Sequence, residues 1–459
     1  MHLTVIHMAM IILTLVLVIG IGIYQSRAVK SAAGYSVGGR SAGAPLVAGS
    51  IAGTVVGGGA TVGTAQLAYN FGLPAWWFTL GSGIAFILMG IFYAKKMRST
   101  ALETIPQFLS LHYGKRAEEL SSVISSIGIL FSAVASCLPG IEIVADVFGV
   151  GPYTAGVLLL LLVSAYTFFG GMKSAGIGGM LKMAIIWLAL FFAGFAAFSS
   201  IHQSSAWAAI PSDHFSLFGR GVEPALANLF SVIVGVVCTQ TYIQCIFSAS
   251  SPKVASLGCF LAALIVIPVG LPSVAIGLYM HDAYPSIQSI MVLPTFLTNE
   301  INPFLGGLAM GGILLSLVGG IGGLALGIGT MLARDMVGPL LHIIDDRKML
   351  FTNRVTVLSV MALAAFIAIL NRGSEVLLWT YLSMALRGGG IFLPLTLAVF
   401  WPGHIKKSWA VISMIGSTLA SLITATVLSL PMDPLFAGLL VSALLLLPGI
   451  VVSGKKSEE

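Results

Sequence analysis

The sequence is poor in charge, since only 8% of its 459 residues are Asp, Glu, Lys or Arg. Soluble domains carry charge on about a quarter of their residues, so this composition excludes an ordinary soluble domain. Hydrophobic residues make up 57% of the chain. Apolar runs of about 20 residues recur along it, each long enough to cross a bilayer as a helix. The sequence therefore indicates a membrane protein with many spans.

Cysteine is scarce as well, and its spacing excludes the common metal and redox motifs. The four copies lie in apolar runs without a C-x-x-C pair: Cys137, Cys238, Cys245 and Cys259. We interpret them as buried small hydrophobic residues, with no disulfide or metal framework. The histidines are scattered, without an H-x-x-x-H or H-E-x-x-H motif. We therefore do not predict an enzyme or a classical cofactor.

Glycine, proline and charged residues divide the apolar runs into about thirteen predicted spans. Approximately, they are 4–24, 45–70, 74–94, 119–147, 151–170, 176–200, 224–247, 254–281, 304–333, 351–371, 375–401, 408–430 and 433–453. The first run lacks a basic segment before it and an A-x-A site after it, so we predict a retained helix and not a signal peptide. The prediction is an all-α membrane protein in which residues 1–459 form one transmembrane domain.

The basic residues fall almost entirely on one side of these spans. With the N-terminus outside, the cytoplasmic segments hold Arg27, Lys30, Arg40, Lys95, Lys96, Arg98, Lys115, Arg116, Lys173, Lys253, Arg334, Arg347, Lys348, Arg354, Lys406, Lys407, Lys455 and Lys456. The outer loops hold only Arg220 and Arg372, and Lys182 and Arg387 lie within spans. This bias predicts an outside N-terminus, a cytoplasmic C-terminus and insertion in the plasma (inner) membrane. It also explains the net charge of +6 without a nucleic-acid partner.

Glycine is abundant, with 54 residues, and it clusters in the second and ninth spans. The second carries GSIAGTVVGGGATVGTAQLAY (49–69) and the ninth carries SLVGGIGGLALGIGT (316–330). One interpretation is close helix packing through small residues. The other is a discontinuous helix, because the consecutive Gly57, Gly58 and Gly59 disfavour a continuous helix and expose backbone carbonyls. A phosphate cradle is disfavoured, since neither run follows a strand or contains a P-loop lysine.

The seventh span contains a second candidate break. Its segment VVCTQTYIQCIF (236–247) places Gln240 and Tyr242, with three other polar side chains, deep in an apolar run. Polar groups at this depth are costly unless they pair or face a cavity. The second and seventh spans are five apart. Two five-helix units of inverted topology, each opening with a broken helix, are a known transporter architecture.

At these residues the chain resembles the sodium:solute symporter family, whose fold is the LeuT-type five-plus-five inverted repeat. The resemblance is carried by YSVGGRSAGAPLVAGSIAGT (35–54), AYTFFGGMKSAGIGGMLKMAIIW (165–187), TQTYIQCIFSASSPKVAS (239–256) and GTMLARDM (329–336). It implies one extra N-terminal helix, core repeats at about 45–200 and 224–401, and two extra C-terminal helices. It also implies secondary transport of a small polar solute across the bilayer by alternating access.

The family holds a sodium ion between its first and eighth core helices. Carried over to this sequence, the first core helix supplies the backbone carbonyls of Ala52 and Val55. The eighth supplies the carbonyl of Ser316, while the family's two hydroxyls fall on Gly319 and Gly320. The resemblance therefore implies a cation site that has lost two of its ligands.

The fifth core helix departs from the family at the same site. Many members have Thr-Asp where this sequence has Gly178 and Gly179, and Gln where it has Lys182. A hard cation needs about five or six oxygens, so the changes weigh against sodium. Lys182 either snorkels to the interface or places its ammonium in the vacated site. Because a buried lysine can exchange its proton, the second interpretation favours proton coupling or sodium-independent exchange.

Arg387 lies near the middle of the tenth core helix, where its charge needs a partner or a cavity. Its guanidinium suits a carboxylate on the substrate or on the protein, which favours an amino acid or organic acid as substrate. Glu142 and Asp146 are the candidate protein partners. We favour Glu142, which lies deeper in its helix, as a partner or proton carrier.

Gln240 and Tyr242 match positions from which family members bind substrate, and Gly57 to Gly59 face them across the repeat axis. Helix–helix hydrogen bonding is the alternative role. The predicted substrate site thus comprises Gly57, Gly58, Gly59, Gln240, Tyr242, Arg387 and Glu142. The family's arginine after the second glutamine is replaced by Cys245.

Three other functions stay open. One is a conventional Na+-coupled symporter, so either Na+ or H+ is expected as the coupling ion. A second is a channel, which saturable, counterflow-competent uptake would exclude. The third, a sensor built on a transporter fold, normally carries a signalling domain, for which we expect no room in the tail SGKKSEE. The sequence predicts neither the substrate's identity nor the oligomeric state.

Overall fold

The computed structural model describes residues 3–26, 31–167, 171–203, 210–426 and 432–450. Within these ranges the secondary structure is helical, and extended pairing is limited to the isolated bridges Ala42–Ala249 and Ile405–Ile450. Some positions used in the sequence predictions lie outside the described residues: Arg27, Lys30, Lys455, Lys456 and residues 168–170 of one motif.

Twenty α-helices follow one another in the described ranges. They are α1 (Val5–Ser26), α2 (Ala32–Val37), α3 (Ala44–Val55), α4 (Thr64–Phe71), α5 (Trp77–Leu88), α6 (Ala94–Ser99), α7 (Ile105–Tyr113), α8 (Lys115–Phe148), α9 (Pro152–Thr167), α10 (Gly171–Gln203), α11 (Val222–Val237), α12 (Gln240–Ser248), α13 (Pro252–Ala283), α14 (Val292–Asn299), α15 (Pro303–Met331), α16 (Gly338–Leu340), α17 (Asp346–Leu370), α18 (Val376–Phe400), α19 (Lys407–Thr426) and α20 (Pro434–Leu446). Short π-helical segments occur at Gly59–Gly63, Met89–Tyr93 and Leu332–Val337.

Ten of the thirteen predicted spans meet the length and hydropathy expected of a membrane crossing. Among the described residues, eight continuous helices qualify, and two bent helix pairs raise the number to ten. The predicted spans 4–24, 151–170 and 433–453 correspond to described apolar stretches of 10–17 residues. The total of thirteen therefore stays a prediction.

Two spans are broken, as the sequence predicts. The axes of α3 and α4 differ by 61°, and those of α11 and α12 by 47°. Val56, directly after α3, leaves the helical conformation at φ −79° and ψ 70°. Thr239, directly before α12, is extended. Each break frees backbone groups from the helical hydrogen-bond ladder, so they can bind side chains or ligands.

The glycines of the second span also act through close packing, so both interpretations of that cluster hold. A Cβ atom on Gly179 of α10 would overlap the carbonyl oxygen of Gly49 on α3. A Cβ on Gly53 would lie 2.6 Å from the Cα of Gly179. The backbones of the two helices are therefore in contact. This contact sets α10, which carries Lys182, directly against the α3–α4 break.

Candidate functional site

Lys182 is buried and does not reach the membrane interface. It is 1% exposed, and its Nζ donates hydrogen bonds to the carbonyl oxygens of Val56 and Ser316, each at 3.1 Å. Val56 lies in the α3–α4 break, and Ser316 lies in the middle of α15. The ammonium therefore links the break to α15.

Of the three carbonyls carried over from the family, only that of Ser316 bonds Lys182. Ser316 is at the site, but the first helix contributes the carbonyl of Val56. The carbonyls of Ala52 and Val55 accept hydrogen bonds from the backbone N–H groups of Val56 and Gly57, each at 2.9 Å. The Ser316 hydroxyl also donates to the Val56 carbonyl. Val56 thus supplies the carbonyl that the break leaves open to side chains.

Gly319 and Gly320 make room for this arrangement. A Cβ on Gly319 would lie 3.0 Å from the Lys182 Nζ, and a Cβ on Gly320 would lie 3.2 Å from the Cα of Gly57. The groups that meet here are two carbonyls, one hydroxyl and one ammonium. A sodium ion needs oxygen ligands where this site has a positive charge, so these residues do not fit sodium while Lys182 is protonated.

Arg387 is also 1% exposed, and it lies beside the second break. Its Nε donates to the carbonyl oxygen of Gly235, in the last turn of α11, at 3.2 Å. Its Nη1 donates to the hydroxyls of Ser132 on α8, at 3.3 Å, and Ser383 on α18. The two hydroxyls are 2.7 Å apart. The guanidinium therefore joins α11, α8 and α18 through neutral acceptors.

The sequence-based pairing of Glu142 with Arg387 is wrong. The Glu142 carboxylate instead accepts hydrogen bonds from Nε and Nη2 of Arg372, at 2.7 and 3.1 Å. Ten residues separate Glu142 from Ser132, which is about 15 Å along α8 and beyond the reach of Arg387. Hydrogen bonding to Glu142 raises the pKa of Arg372 above its usual value. The pair lines a cavity of about 400 Å³ at the Phe148 end of α8.

Gln240 makes the hydrogen bonds of its amide within the protein. Its Oε1 accepts from the backbone N–H of Ile105 at 2.8 Å, and its Nε2 donates to the carbonyl of Glu103 at 2.9 Å. These bonds attach the start of α12 to the segment before α7. The alternative role, hydrogen bonding between elements of the protein, therefore describes Gln240 in this structure.

The other predicted substrate residues lie at the two breaks, Gly57 to Gly59 at the first and Tyr242 just after the second. Tyr242 is 5% exposed and meets the Phe86 ring edge-to-face, with centroids 5.3 Å apart. Gly59 lies against Phe78, and Gly58 lies against Ser136 of α8, where a Cβ would be 3.0 Å from the Ser136 Cα. Gly57 to Gly59 thus let the break approach aromatic rings and α8 closely.

A buried polar network, which the sequence analysis missed, closes the Lys115 end of α8. Asp335 is 1% exposed, and its carboxylate accepts from the Thr104 hydroxyl at 2.9 Å and from the Gln107 amide at 3.0 Å. Arg334 pairs with Glu103 at 3.1 Å. The α7 network consists of Ser36, Glu103, Thr104, Gln107, Gln240, Arg334 and Asp335. The charged Arg-Asp pair in GTMLARDM is the sequence signal that indicates it.

Comparison with known proteins identifies a matching family and several relatives. The family model described as "Sodium:solute symporter family" matches residues 35–416. The high affinity choline transporter 1 of Mus musculus is 26% identical over 367 residues, covering 73% of this chain and 62% of the relative. The chain thus spans less than two thirds of that relative's length. A sodium/proline symporter of Staphylococcus aureus is 24% identical over 413 residues, covering 85% of this chain and 80% of the relative.

A solved structure shows the same fold. A Na+-coupled sialic acid symporter, in a substrate-bound outward-open state, superposes with a TM-score of 0.82 and 18% sequence identity over 97% of both chains. With the two broken helices five spans apart, this likeness confirms the predicted LeuT-type fold.

Proposed function

Since the chain belongs to the sodium:solute symporter family, we propose that it is a secondary transporter that moves a small polar solute across the plasma (inner) membrane by alternating access. Its N-terminus lies outside and its C-terminus in the cytoplasm, in agreement with the distribution of Lys and Arg. The transporter is one transmembrane domain, with core repeats at about 45–200 and 224–401.

In this proposal the Lys182 ammonium takes the place of the family's sodium ion. The observation that carries it is the pair of 3.1 Å hydrogen bonds from Nζ to Val56 and Ser316. The ammonium supplies a positive charge at the junction of α3 and α15 without an ion from solution. Loss of its proton leaves a neutral amine, whose hydrogen bonds are weaker, so the junction loosens. Transport is therefore coupled to protons or runs as sodium-independent exchange.

The proposed substrate carries a carboxylate. Lys182 and Arg387 are buried cations, and neither takes part in the ion pairs found in the described ranges. The buried carboxylates of those ranges, Glu103, Glu118 and Asp335, belong to the Lys115 end of α8 or to the α7 network. Positive charge between the breaks favours an amino acid or organic acid over a quaternary ammonium such as choline.

The substrate lies between the breaks in this proposal, next to Tyr242 and Gly57 to Gly59. Arg387 acts on it through the field of its charge, because its Nε and Nη1 already bind Gly235, Ser132 and Ser383. Glu142 faces the cavity at the Phe148 end of α8, through which the solute reaches the centre.

A conventional Na+-coupled symporter is the second candidate, because the family and the sialic acid symporter with the same fold both favour sodium. A channel is the alternative of another class. Flux measurements distinguish both from the first proposal. Sodium-coupled transport stops without Na+, and channel flux neither saturates nor shows counterflow.

The test uses the purified full-length chain. A thermal-shift screen of amino acids, organic acids and choline, with and without Na+ and at two pH values, identifies a stabilising solute. Counterflow of that solute is then measured in proteoliposomes. We expect a carboxylate-bearing hit, and saturable exchange that persists without Na+.

Lys182→Ala separates the two coupling mechanisms. We expect it to reduce sodium-free counterflow at least about tenfold, because the variant lacks the ammonium that bonds Val56 and Ser316. A tenfold loss corresponds to about 1.4 kcal/mol. Lys348→Ala is the matched control, because Lys348 is exposed. A strict Na+ requirement, with Lys182→Ala still active, would overturn sodium independence. Gel-filtration profile and ligand-induced thermal shift verify that each variant is folded.

A further inference from the structure

Lys182 and Arg387 occupy equivalent places in the two five-helix repeats. Each lies on the fifth helix of its repeat, α10 or α18. Each is the twelfth residue of that helix, counted from Gly171 and Val376. Each is also 1% exposed. The described part of the chain therefore carries a buried cation on the fifth helix of each repeat.

Their partners correspond as well. Each cation bonds the broken first helix of its own repeat: Lys182 at Val56, and Arg387 at Gly235. Each also bonds a serine on the continuous third helix of the other repeat: Lys182 bonds the backbone carbonyl of Ser316 on α15, and Arg387 bonds the hydroxyl of Ser132 on α8. Both cations thus link a broken helix to a continuous one.

A glycine on the third helix lies against each of these side chains, at the ammonium of Lys182 but at the Cβ of Arg387. A Cβ on Gly319 of α15 would lie 3.0 Å from the Lys182 Nζ, and a Cβ on Gly128 of α8 would lie 3.1 Å from the Arg387 Cβ. Each site therefore combines a cation on the fifth helix of a repeat with a serine and a glycine on a third helix, although the glycine follows Ser316 by three residues on α15 and precedes Ser132 by four on α8.

The two cations differ in chemistry. An ammonium can lose its proton, whereas a guanidinium stays charged in proteins. Among the described residues, no titratable side chain interacts with the charge of Lys182, whose facing groups on α3 and α15 are carbonyls, a hydroxyl and a glycine. Tyr242 and Cys238 are the titratable neighbours of Arg387, whose facing groups on α8 and α18 are serine hydroxyls.

We propose that Lys182 and Arg387 are repeat-related tethers of unequal kind: Lys182 is a releasable tether between the α3–α4 break and α15, and Arg387 is a permanent tether between α11 and α8. This inference rests on the proposed function in that Lys182 exchanges its proton during transport. The step breaks only the N–H bond, and the proton passes to water on the open side. Arg387 is a positioning residue, which holds the second break while the first moves.

Exchanging the two chemistries tests the inference. Counterflow is measured from pH 5.5 to pH 9 with equal pH on both sides. Lys182→Arg makes the first tether permanent, so we expect counterflow at least about tenfold slower than wild type and independent of pH. Arg387→Lys makes the second tether releasable, so we expect a rate within about threefold of wild type at acidic pH. Toward pH 9, where wild-type Arg387 keeps its charge, we expect the counterflow rate of Arg387→Lys to fall by at least about tenfold relative to wild type.

A purely structural Arg387 gives a different result. Arg387→Lys then lowers the rate by the same factor at every pH, which overturns the inference. Retention of the wild-type pH profile by Lys182→Arg overturns it as well. Each measurement is accepted only for protein that keeps its ligand-induced thermal shift.

Two matched serine variants keep the test decisive where a cation variant does not fold. Ser316→Ala removes the hydroxyl bond to Val56, the acceptor of Lys182, so we expect a shifted pH profile. Ser132→Ala removes one acceptor of Arg387, so we expect a rate about two- to fivefold lower with an unchanged profile. A shifted profile for Ser132→Ala, or an unshifted one for Ser316→Ala, contradicts the unequal tethers.

All variants are measured with and without Na+. A wild type that needs Na+ overturns sodium independence, and the paired serine and Arg387 variants are then compared in Na+ buffer. The tether inference is therefore tested separately from the identity of the coupling ion.

Discussion

The two ends of α8 are closed in different ways. At the Lys115 end, the α7 network is buried, with Asp335 1% and Glu103 7% exposed. It joins α2, α12, the segment around α7 and the end of α15. At the Phe148 end, the Arg372–Glu142 pair joins α8 to one loop, and the Arg372 side chain is 42% exposed.

This difference shows which end opens at lower free energy. Buried hydrogen-bonded networks are costly to disrupt, because each separated polar group loses its partner in a medium of low dielectric constant. An exposed ion pair contributes only about 0–1 kcal/mol and is screened by salt. From this structure, opening at the Phe148 end therefore requires less free energy than opening at the Lys115 end. The four predictions below test that contrast.

Asp335→Ala should have the largest effect. It leaves the Thr104 hydroxyl and the Gln107 amide without their acceptor, and each unpaired buried group costs about 1–3 kcal/mol. We expect thiol labelling of an Ile105→Cys reporter to rise at least about tenfold. The four native cysteines are buried and unpaired, which favours a low labelling background.

Lys115→Gln is the control for this variant. It removes the pair between Lys115, whose side chain is 50% exposed, and the buried Glu118 at the same end of α8, and it should change labelling less than about twofold. Equal labelling in Asp335→Ala and wild type would show that the α7 network does not hold this end closed.

Gln240→Ala should have the next largest effect. We expect it to raise labelling of the same reporter about fivefold, because it removes two hydrogen bonds to the backbone. Gln240→Glu retains an acceptor for the Ile105 N–H but places a carboxylate against the Glu103 carbonyl, so it should not restore closure. Transport kinetics separate this role from substrate binding. A structural Gln240 lowers the maximal rate, whereas a large rise in KM alone would favour the substrate contact.

Arg372→Gln should have a smaller effect, confined to the Phe148 end. Because the lost pair is partly exposed, we expect labelling of an Ile290→Cys reporter in the adjoining cavity to rise only about two- to fivefold. High salt should produce the same increase in the wild type. An effect as large as that of Asp335→Ala would remove the contrast between the two ends.

The smallest expected effect is a pH response of the segment that carries His214. Burial, followed by the nearby His281, lowers the pKa of His214 below 6.5. The rings lie 5.2 Å apart, and the His214 Nε2 is buried without a partner. Because the folded form binds the proton less well, the contact is complete above pH 6.5 and weakens as pH falls below it.

Hydrogen exchange around Tyr69, which contacts His281, should therefore be faster at pH 5.5 than at pH 7.5, after correction for intrinsic exchange. His214→Gln should remove the difference. Persistence of the difference in that variant would assign it to another group.

The helices, both breaks and the importance of Lys182 follow from the sequence, because glycine runs, hydropathy and buried charge are local signals. The sequence does not predict that Lys182 bonds the carbonyl of Val56 and not that of Val55. This depends on the residue at which α3 ends, and helix ends are uncertain by one or two residues. The partner of Glu142 does not follow from the sequence, because Arg372 and Arg387 are both more than 200 positions away and no local signal distinguishes them. The sequence leaves two roles open for Gln240, because its partners are backbone groups, which carry no sequence signature.

The contact between α3 and α10 also constrains which residues can replace the glycines around Lys182. A carboxylate at position 179 has no room beside the Gly49 carbonyl, and a hydroxyl-bearing residue at position 319 meets the Lys182 ammonium. Side chains at both positions therefore require α3 and α10 to separate and the end of the Lys182 side chain to shift, so the two glycines and the lysine constrain one another during evolution.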